Sequence, residues 1–182
     1  FEVSKPDRYI KNLKMTVEKI LLEKVSKNDL EKIWSFLNTE YFRRHSDEEI
    51  AWHVELIVKN TPNNAVSIRE SLAKGCSELT VFQNHRKNIF SYIANIIDNL
   101  NINIVDVRIV TLKNNQALDT YLLLDNEGKF IKDKHTLKFL KEKIMEVLDN
   151  SNYKIYKITK KQTENVASFK NFLNIDITRK LD

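Results

Sequence analysis

Apolar residues in this chain recur at spacings of three and four before residue 60 and at alternate positions in several segments after it. That change of period constrains the fold more than any other feature. A stripe spaced at three and four suits a helix that buries one side, and alternation suits a strand that buries one face. The change falls at Asn60-Thr61-Pro62-Asn63-Asn64, where turn-forming residues cluster into a linker. Upstream, Ile10, Leu13, Val17, Ile20 and Leu21 predict one helix after Ser4, Pro6 and Asp7. Leu30, Ile33, Trp34 and Leu37 predict a second after Ser26. A third opens at Ser46-Asp47-Glu48-Glu49, the pattern of a capping box, and presents Ile50, Val54 and Ile57 on its apolar side. Asp47 and Glu48 also suit the positive end of the helix dipole.

Downstream, Ala65–Ile68 is read as a short strand and Glu78–Phe82 as a second. Ile89, Ile93, Ile96 and Leu100 mark a helix. Over Ile102–Leu112, Val105, Val107 and Ile109 share one face of a strand while Asp106 and Arg108 take the other. A turn at Asn114-Asn115 leads into the return strand Ala117–Leu124. Leu137, Leu140, Ile144 and Val147 mark a second helix, Tyr153–Ile158 a last strand, and Phe172–Ile177 a further possible one. The expected class is therefore α+β: an N-terminal helical subdomain over residues 1–62, then a ferredoxin-like βαββαβ domain over 63–160. Residues 161–182 are read as a linker into whatever follows.

Composition removes several function classes. The chain has two Gly and two Pro in 182 residues, and Gly75 and Gly128 stand too far apart to build a phosphate-cradling loop. Turns must then rest on asparagine, which occurs 20 times and tolerates left-handed backbone. Cys76 is alone, so neither an internal disulfide nor a cysteine-rich zinc module is available, and a single thiol suits a reducing cytoplasm. No stretch approaches the ~18 uncharged apolar residues of a membrane span. The net charge of +5 sits wholly in residues 126–182, with 13 basic and 8 acidic side chains, against 17 of each before. It is read as a solvated end rather than a nucleic-acid surface. The strand Ala117–Leu123 carries Tyr121 as its sole aromatic, which argues against base stacking on the sheet. No membrane or nucleic-acid partner is expected.

The search for catalytic chemistry returns negatives. No His-Asp dipeptide occurs, so an HD-type phosphohydrolase centre is absent, and no Asp-x-Asp follows a Gly-Ser pair, so a nucleotidyltransferase metal site is absent too. His45 and His53 are eight apart and do not match His-Glu-x-x-His. They are read as a residue preceding a helix cap and a residue on a packed helix. No catalytic residue and no metal ligand is assigned.

Three segments carry a family pattern. Tyr41-Phe42-Arg43-Arg44-His45-Ser46-Asp47-Glu48-Glu49-Ile50-Ala51-Trp52-His53 resembles a signature stretch of the bifunctional PII uridylyltransferase/uridylyl-removing enzymes. Asn101–Thr111 and Ala117–Asp125 resemble the core of the first ACT domain of that family. The resemblance runs from about Lys11 to about Ile177. It implies the order nucleotidyltransferase, HD hydrolase, first ACT domain, second ACT domain. Residues 1–62 would then be the helical end of the HD region, 63–160 the first ACT domain, and 161–182 the start of the second. The chain opens on Phe1 rather than Met, and both catalytic centres would precede it. The implied role is regulatory, within an enzyme that modifies the PII protein in response to glutamine. Magnesium is implied for that enzyme and no cofactor for this chain. A non-enzymatic ACT module, serving as an assembly interface or amino-acid sensor, is the alternative.

ACT domains that bind amino acids usually carry Asp-Arg-Pro-Gly after the first strand. The matching positions here are His85-Arg86-Lys87-Asn88, so arginine alone is kept. Asn84, His85, Arg86 and Asn88 are the candidate ligand-binding residues, with a helix start beyond them and a cation suited to a carboxylate. Because Asn88 bears a side chain where glycine is usual, weak or no glutamine binding by this segment is expected. Self-association through the ACT half is expected as well, since an open sheet has edges to cover.

Overall fold

The computed structural model describes residues 5–150. Four helices come first: α1 (Lys5–Ile20), α2 (Lys27–Phe36), α3 (Thr39–Arg44) and α4 (Asp47–Asn60). Then follow β1 (Ala65–Ser71), β2 (Cys76–Asn84), α5 (Ile89–Asn99), β3 (Asn103–Thr111), β4 (Gln116–Leu124) and α6 (Lys134–Asp149). The strands form one sheet in the order β1-β2-β4-β3, and every neighbouring pair is antiparallel. The α+β class with helices first is borne out. Strand Tyr153–Ile158 and the segment Phe172–Ile177 lie outside the described residues.

Helix starts follow the capping chemistry. Ser26 accepts the Asp29 amide at α2, and Asn38 accepts the Tyr41 amide at α3, a short helix that the apolar spacing did not announce. Ser46 and Glu49 complete the expected capping box at α4: the Glu49 amide donates to Ser46 Oγ at 3.2 Å, and the Ser46 amide donates to Glu49 Oε2 at 2.7 Å. Asparagine takes over much of the role of glycine in the turns. Asn88, Asn101 and Asn115 all have positive φ, as do Gly75 and Gly128.

The strand order differs from a plain βαββαβ in one respect. β1 and β2 form a hairpin, so β1 holds the sheet edge beside β2, and the described order is ββαββα. β3 holds the other edge. A register shift between Ile104 and Asp106 leaves Val105 without a partner in β4. Of the three apolar residues expected on one face of β3, Val107 is buried, while Val105 and Ile109 are exposed because no described element covers that edge.

Both faces of the sheet are covered. On one face Val66, Leu79, Val81, Val107, Tyr121 and Leu123 pack against α5 and α6, which contribute Ile93, Ile97, Leu140 and Ile144. On the other, Ala65, Phe82 and Leu118 pack with Val17, Leu30, Ile50, Val54 and Ile57 from the first four helices. The helical segment is therefore a layer laid on the sheet, not a separate globule. Because side chains alternate along a strand, successive residues of β2 and β4 belong to different cores.

Ser46→Ala should cost about 0.5–2 kcal/mol, since a helix amide loses its acceptor and the box loses half its bonds. Thermal unfolding of the two proteins measures this, and an unchanged midpoint would show that the cap contributes nothing.

Candidate functional site

The segment Tyr41–His53 is the most distinctive stretch of sequence, and the structure places it where the helical layer meets the sheet. Tyr41 and Phe42 are held by α3, His45 closes that helix, Ser46 opens α4, and Glu49 and His53 follow on α4. Spacing by four sets Glu49 and His53 one turn apart on α4, and the extended backbone at His45 and Ser46 folds α3 back so that Tyr41 and His45 meet them. All four are buried: Tyr41 1%, His45 4%, Glu49 4% and His53 0% exposed.

Tyr41, His45 and His53 form a hydrogen-bonded column. His45 Nδ1 lies 2.9 Å from the Tyr41 carbonyl oxygen, which can only accept, so the proton sits on that nitrogen. The Tyr41 hydroxyl lies 2.8 Å from His53 Nδ1. His53 Nε2 reaches Thr80 Oγ1 on β2 at 3.3 Å and Thr120 Oγ1 on β4 at 3.4 Å, and the two threonines lie 3.3 Å apart. Burial holds both imidazoles below their ordinary pKa, His53 well below, and pushes the Tyr41 phenol well above its own. The rings are therefore neutral and the phenol is un-ionised. A neutral column satisfies its own donors and acceptors inside a dry contact.

A charged set flanks the column. Besides its bond within the cap, the Glu49 carboxylate accepts from Lys74, in the β1–β2 turn, and from Arg108 on β3 at 3.2 Å. Glu78, wholly buried on β2, accepts from Arg69 at 2.7 Å and from Lys74. Arg108 also donates to the Arg44 carbonyl oxygen at 2.7 Å and lies 3.4 Å from Asp106. Arg69 stacks on Trp52 at 4.2 Å, and Trp52 Nε1 donates to Ser67 Oγ at 3.1 Å. Burial raises the Glu49 pKa, but the hydrogen bonds from Lys74 and from the Ser46 amide, with the charge of Lys74, hold it below the usual carboxylate range overall. Three cations thus face Glu49, Glu78 and Asp106.

Chemically this is a joint between two layers. Its imidazoles are closed off, its carboxylates are matched, and no nucleophile is presented to solvent. Among the described residues no group of three or more His, Cys, Asp or Glu is placed to hold a metal ion, and no helix is long and apolar enough to cross a membrane. Sequence reasoning singled out the column's helical half through its pattern. It missed the sheet half, Thr80, Thr120 and Glu78. The available signal was the polar alternation Glu78, Thr80 against apolar Leu79, Val81.

The loop named as a candidate ligand site lies at the far end of β2. The Asn84 amide donates to Asn64 Oδ1 at 3.2 Å, its side-chain oxygen accepts from Gln116 at 3.3 Å, and the His85 amide donates to the Asn115 carbonyl at 3.2 Å. Arg86 points to the end of α6, donating to the Val147 carbonyl at 2.6 Å and the Asn150 carbonyl at 3.1 Å. Its guanidinium thus serves the negative end of a helix. Asn88 is left-handed with φ 66° and its side chain makes no capping bond to α5. The loop brings the four residues together in sequence order, with Arg86 turned toward α6.

Comparison with known proteins follows the same division. Residues 7–56, the helical layer with most of the column, match the family described as the fifth domain of the uridylyltransferase GlnD. The chain is 29% identical over 148 residues to the bifunctional uridylyltransferase/uridylyl-removing enzyme of Acinetobacter baylyi, covering 79% of this chain and 17% of that protein. It is 34% identical over 111 residues to the enzyme of the same name from Pseudomonas savastanoi, covering 58% and 12%, and 32% identical over 129 residues to that of Pseudomonas fluorescens, covering 68% and 14%. The resemblance read from the sequence is borne out. The chain spans about a sixth or less of the length of these relatives.

Acid should open the joint. A histidine whose folded pKa lies below its unfolded value of about 6.5 leaves the unfolded chain holding more protons, so stability falls as pH drops below about 6.5. Urea unfolding of the native chain and of His53→Gln at about pH 7.5 and about pH 5 measures this contribution as the difference between the two proteins. In His53→Gln, less stable at neutral pH by about 1–3 kcal/mol, the acid-induced loss should shrink. An equal loss in both proteins would place the titrating group elsewhere.

Proposed function

We propose that this chain is a regulatory part of an enzyme that attaches uridylyl groups to the PII nitrogen-signalling protein and removes them in response to glutamine. The observation that carries this reading is the sealed joint: the stretch that matches the family is the surface by which a helical layer grips an ACT-like sheet. Such a unit suits passing a signal between a sensing sheet and catalytic regions elsewhere in the protein. In this reading residues 1–62 close a hydrolase region, 63–160 form the first ACT domain, and 161–182 lead into the second. Magnesium acts at the catalytic centres, outside this chain, and the enzyme works in the cytoplasm. With Arg86 committed to α6, glutamine sensing falls to another part of the protein, and Asn84, His85 and Asn88 alone make a weak site.

Given PII, UTP and Mg²⁺, this chain by itself should yield no labelled product. The full-length enzyme should, and its balance of addition and removal should shift with glutamine. Deleting the segment equivalent to residues 63–150 should leave uridylylation measurable but blunt that shift. Turnover by the chain alone, or an unchanged glutamine response after deletion, would overturn the reading.

One observation favours a role in assembly as well. Among the described residues β3 has a strand on one side only, and Val105 and Ile109 on it are 54% and 40% exposed. Antiparallel pairing of two copies about Val107 sets Val105 against the second copy's Ile109 and Asp106 against its Arg108, so the edge is complementary to itself in shape and charge. Sedimentation at about tens of micromolar, a range that a modest interface can populate, should show a dimer that Ile109→Lys dissociates. A clean monomer would remove the assembly reading and leave the regulatory one standing.

A further inference from the structure

The face of the sheet under α5 and α6 is apolar apart from Ser77, whose hydroxyl accepts the Ile131 amide, and one pair of side chains between β2 and β4. Gln83 on β2 and Asp119 on β4 are 3% and 3% exposed, and Gln83 Nε2 donates to Asp119 Oδ2 at 3.0 Å. The second oxygen of each group, Gln83 Oε1 and Asp119 Oδ1, is buried with no hydrogen-bond partner. Two acceptors left over on two groups already joined by one bond is an arrangement that a single proton completes.

We propose that Asp119 is a neutral carboxylic acid in the folded protein, paired with Gln83 in a cyclic acid–amide ring. The amide N–H donates to one carboxyl oxygen while the other carboxyl oxygen donates its O–H to the amide oxygen. The ring satisfies both leftover acceptors at once and leaves no buried charge. A carboxylate there would have one amide donor and no cation. From its own strand Tyr121 faces the same core, with its hydroxyl buried and unpartnered and Phe90 of α5 stacked on its ring. The partner across β2 is Val81 and across β3 Ile109, both apolar. α5 covers the site with Ile89 and Ile93, and its one charged residue, Asp98, lies at its other end. α6 contributes Leu140, Ile144 and Val147, while Lys141, Glu146 and Asp149 lie on its exposed side. Glu70 on β1 is exposed. Burial pushes Asp119 up to about 7, the Gln83 hydrogen bond opposing it in part.

The consequence is a pH-sensitive core. The folded chain holds a proton that the unfolded chain releases near pH 4, so the contribution of Asp119 to stability declines as pH rises from about 4 through about 7, opposite in sign to that of the buried histidines. The pH at which the ring opens falls in the neutral range, where a small change in acidity changes the charge beneath α5.

Infrared spectroscopy of the 182-residue chain tests this directly. At about pH 6 nearly all carboxyl groups are ionised, so a protonated-acid carbonyl band should stand alone. It should fade with a midpoint near neutrality and be missing from Asp119→Asn. That variant keeps an amide–amide ring of the same shape, so its melting temperature should be held or raised at about pH 8, and measured against the native chain it should gain stability from about pH 5 to about pH 8, because the Asp119 contribution is gone while that of the buried histidines stays. If Asp119→Asn does not fold, the band in the native chain still decides, with carbon-13 aspartate shifting it to identify the residue type. Absence of the band at about pH 6 would mean an ionised Asp119 and would overturn the proposal, as would an unaltered pH slope in the variant.

Discussion

A single buried carboxylate, Glu49, ties together parts of the chain that are far apart in sequence. It closes the cap of α4 by accepting from the Ser46 amide, receives Lys74 from the β1–β2 turn, and receives Arg108 from β3. A helix start, a hairpin tip and the opposite sheet edge therefore share one acceptor. Withdrawing one partner from a buried charged set is generally worth several kcal/mol, because the partner left behind is stranded out of water. The neutral column of Tyr41, His53, Thr80 and Thr120 depends on that set for position, since α4 presents Glu49 and His53 one turn apart.

The sheet has no solvated face, which explains the unusual number of polar residues buried on its central strands. Ser77, Glu78, Thr80 and Gln83 on β2, and Asp119 and Thr120 on β4, are all inaccessible. Each is answered by a partner from a neighbouring layer or strand: Ser77 by the Ile131 amide, Glu78 by Arg69 and Lys74, Thr80 and Thr120 by His53, and Gln83 and Asp119 by one another. Hydrophobic burial supplies the bulk of the cohesion on both sides, through Phe82 and Leu118 on one and Leu79 and Tyr121 on the other. The polar contacts decide which surfaces meet.

Much of the fold was legible because its local signals agreed with one another. The capping box at Ser46, the apolar stripes of α2, α4, α5 and α6, and the asparagine turn before β4 each follow from side-chain chemistry within a few residues. α3 was not legible, because six residues are too few to show a period. The layering of the helices on the sheet was not legible either. Alternation along β2 is apolar on one side and mixed on the other, a pattern that equally suits a solvated face. The site divided in the same way. Tyr41, His45, Glu49 and His53 stood out together in sequence, whereas Thr80, Thr120 and Glu78 are ordinary strand residues until the tertiary structure brings His53 and Lys74 to them. Arg86 drew attention as a ligand cation, and only the fold shows that the end of α6 lies within its reach.

Successive residues of β4 serve different neighbours: Asp119 meets Gln83 on one side of the sheet, Thr120 meets His53 on the other, and Tyr121 returns to the first. A slip of β4 by one position would carry the carboxyl of Asp119 into the histidine contact and drop Thr120 into the aliphatic core beneath α5. Both faces would then register the mistake at once. Groups that add little net cohesion thus act as a proofreading mark for strand alignment. An all-aliphatic version of these strands would pack as tightly and would lose the means of telling a correct register from its neighbour.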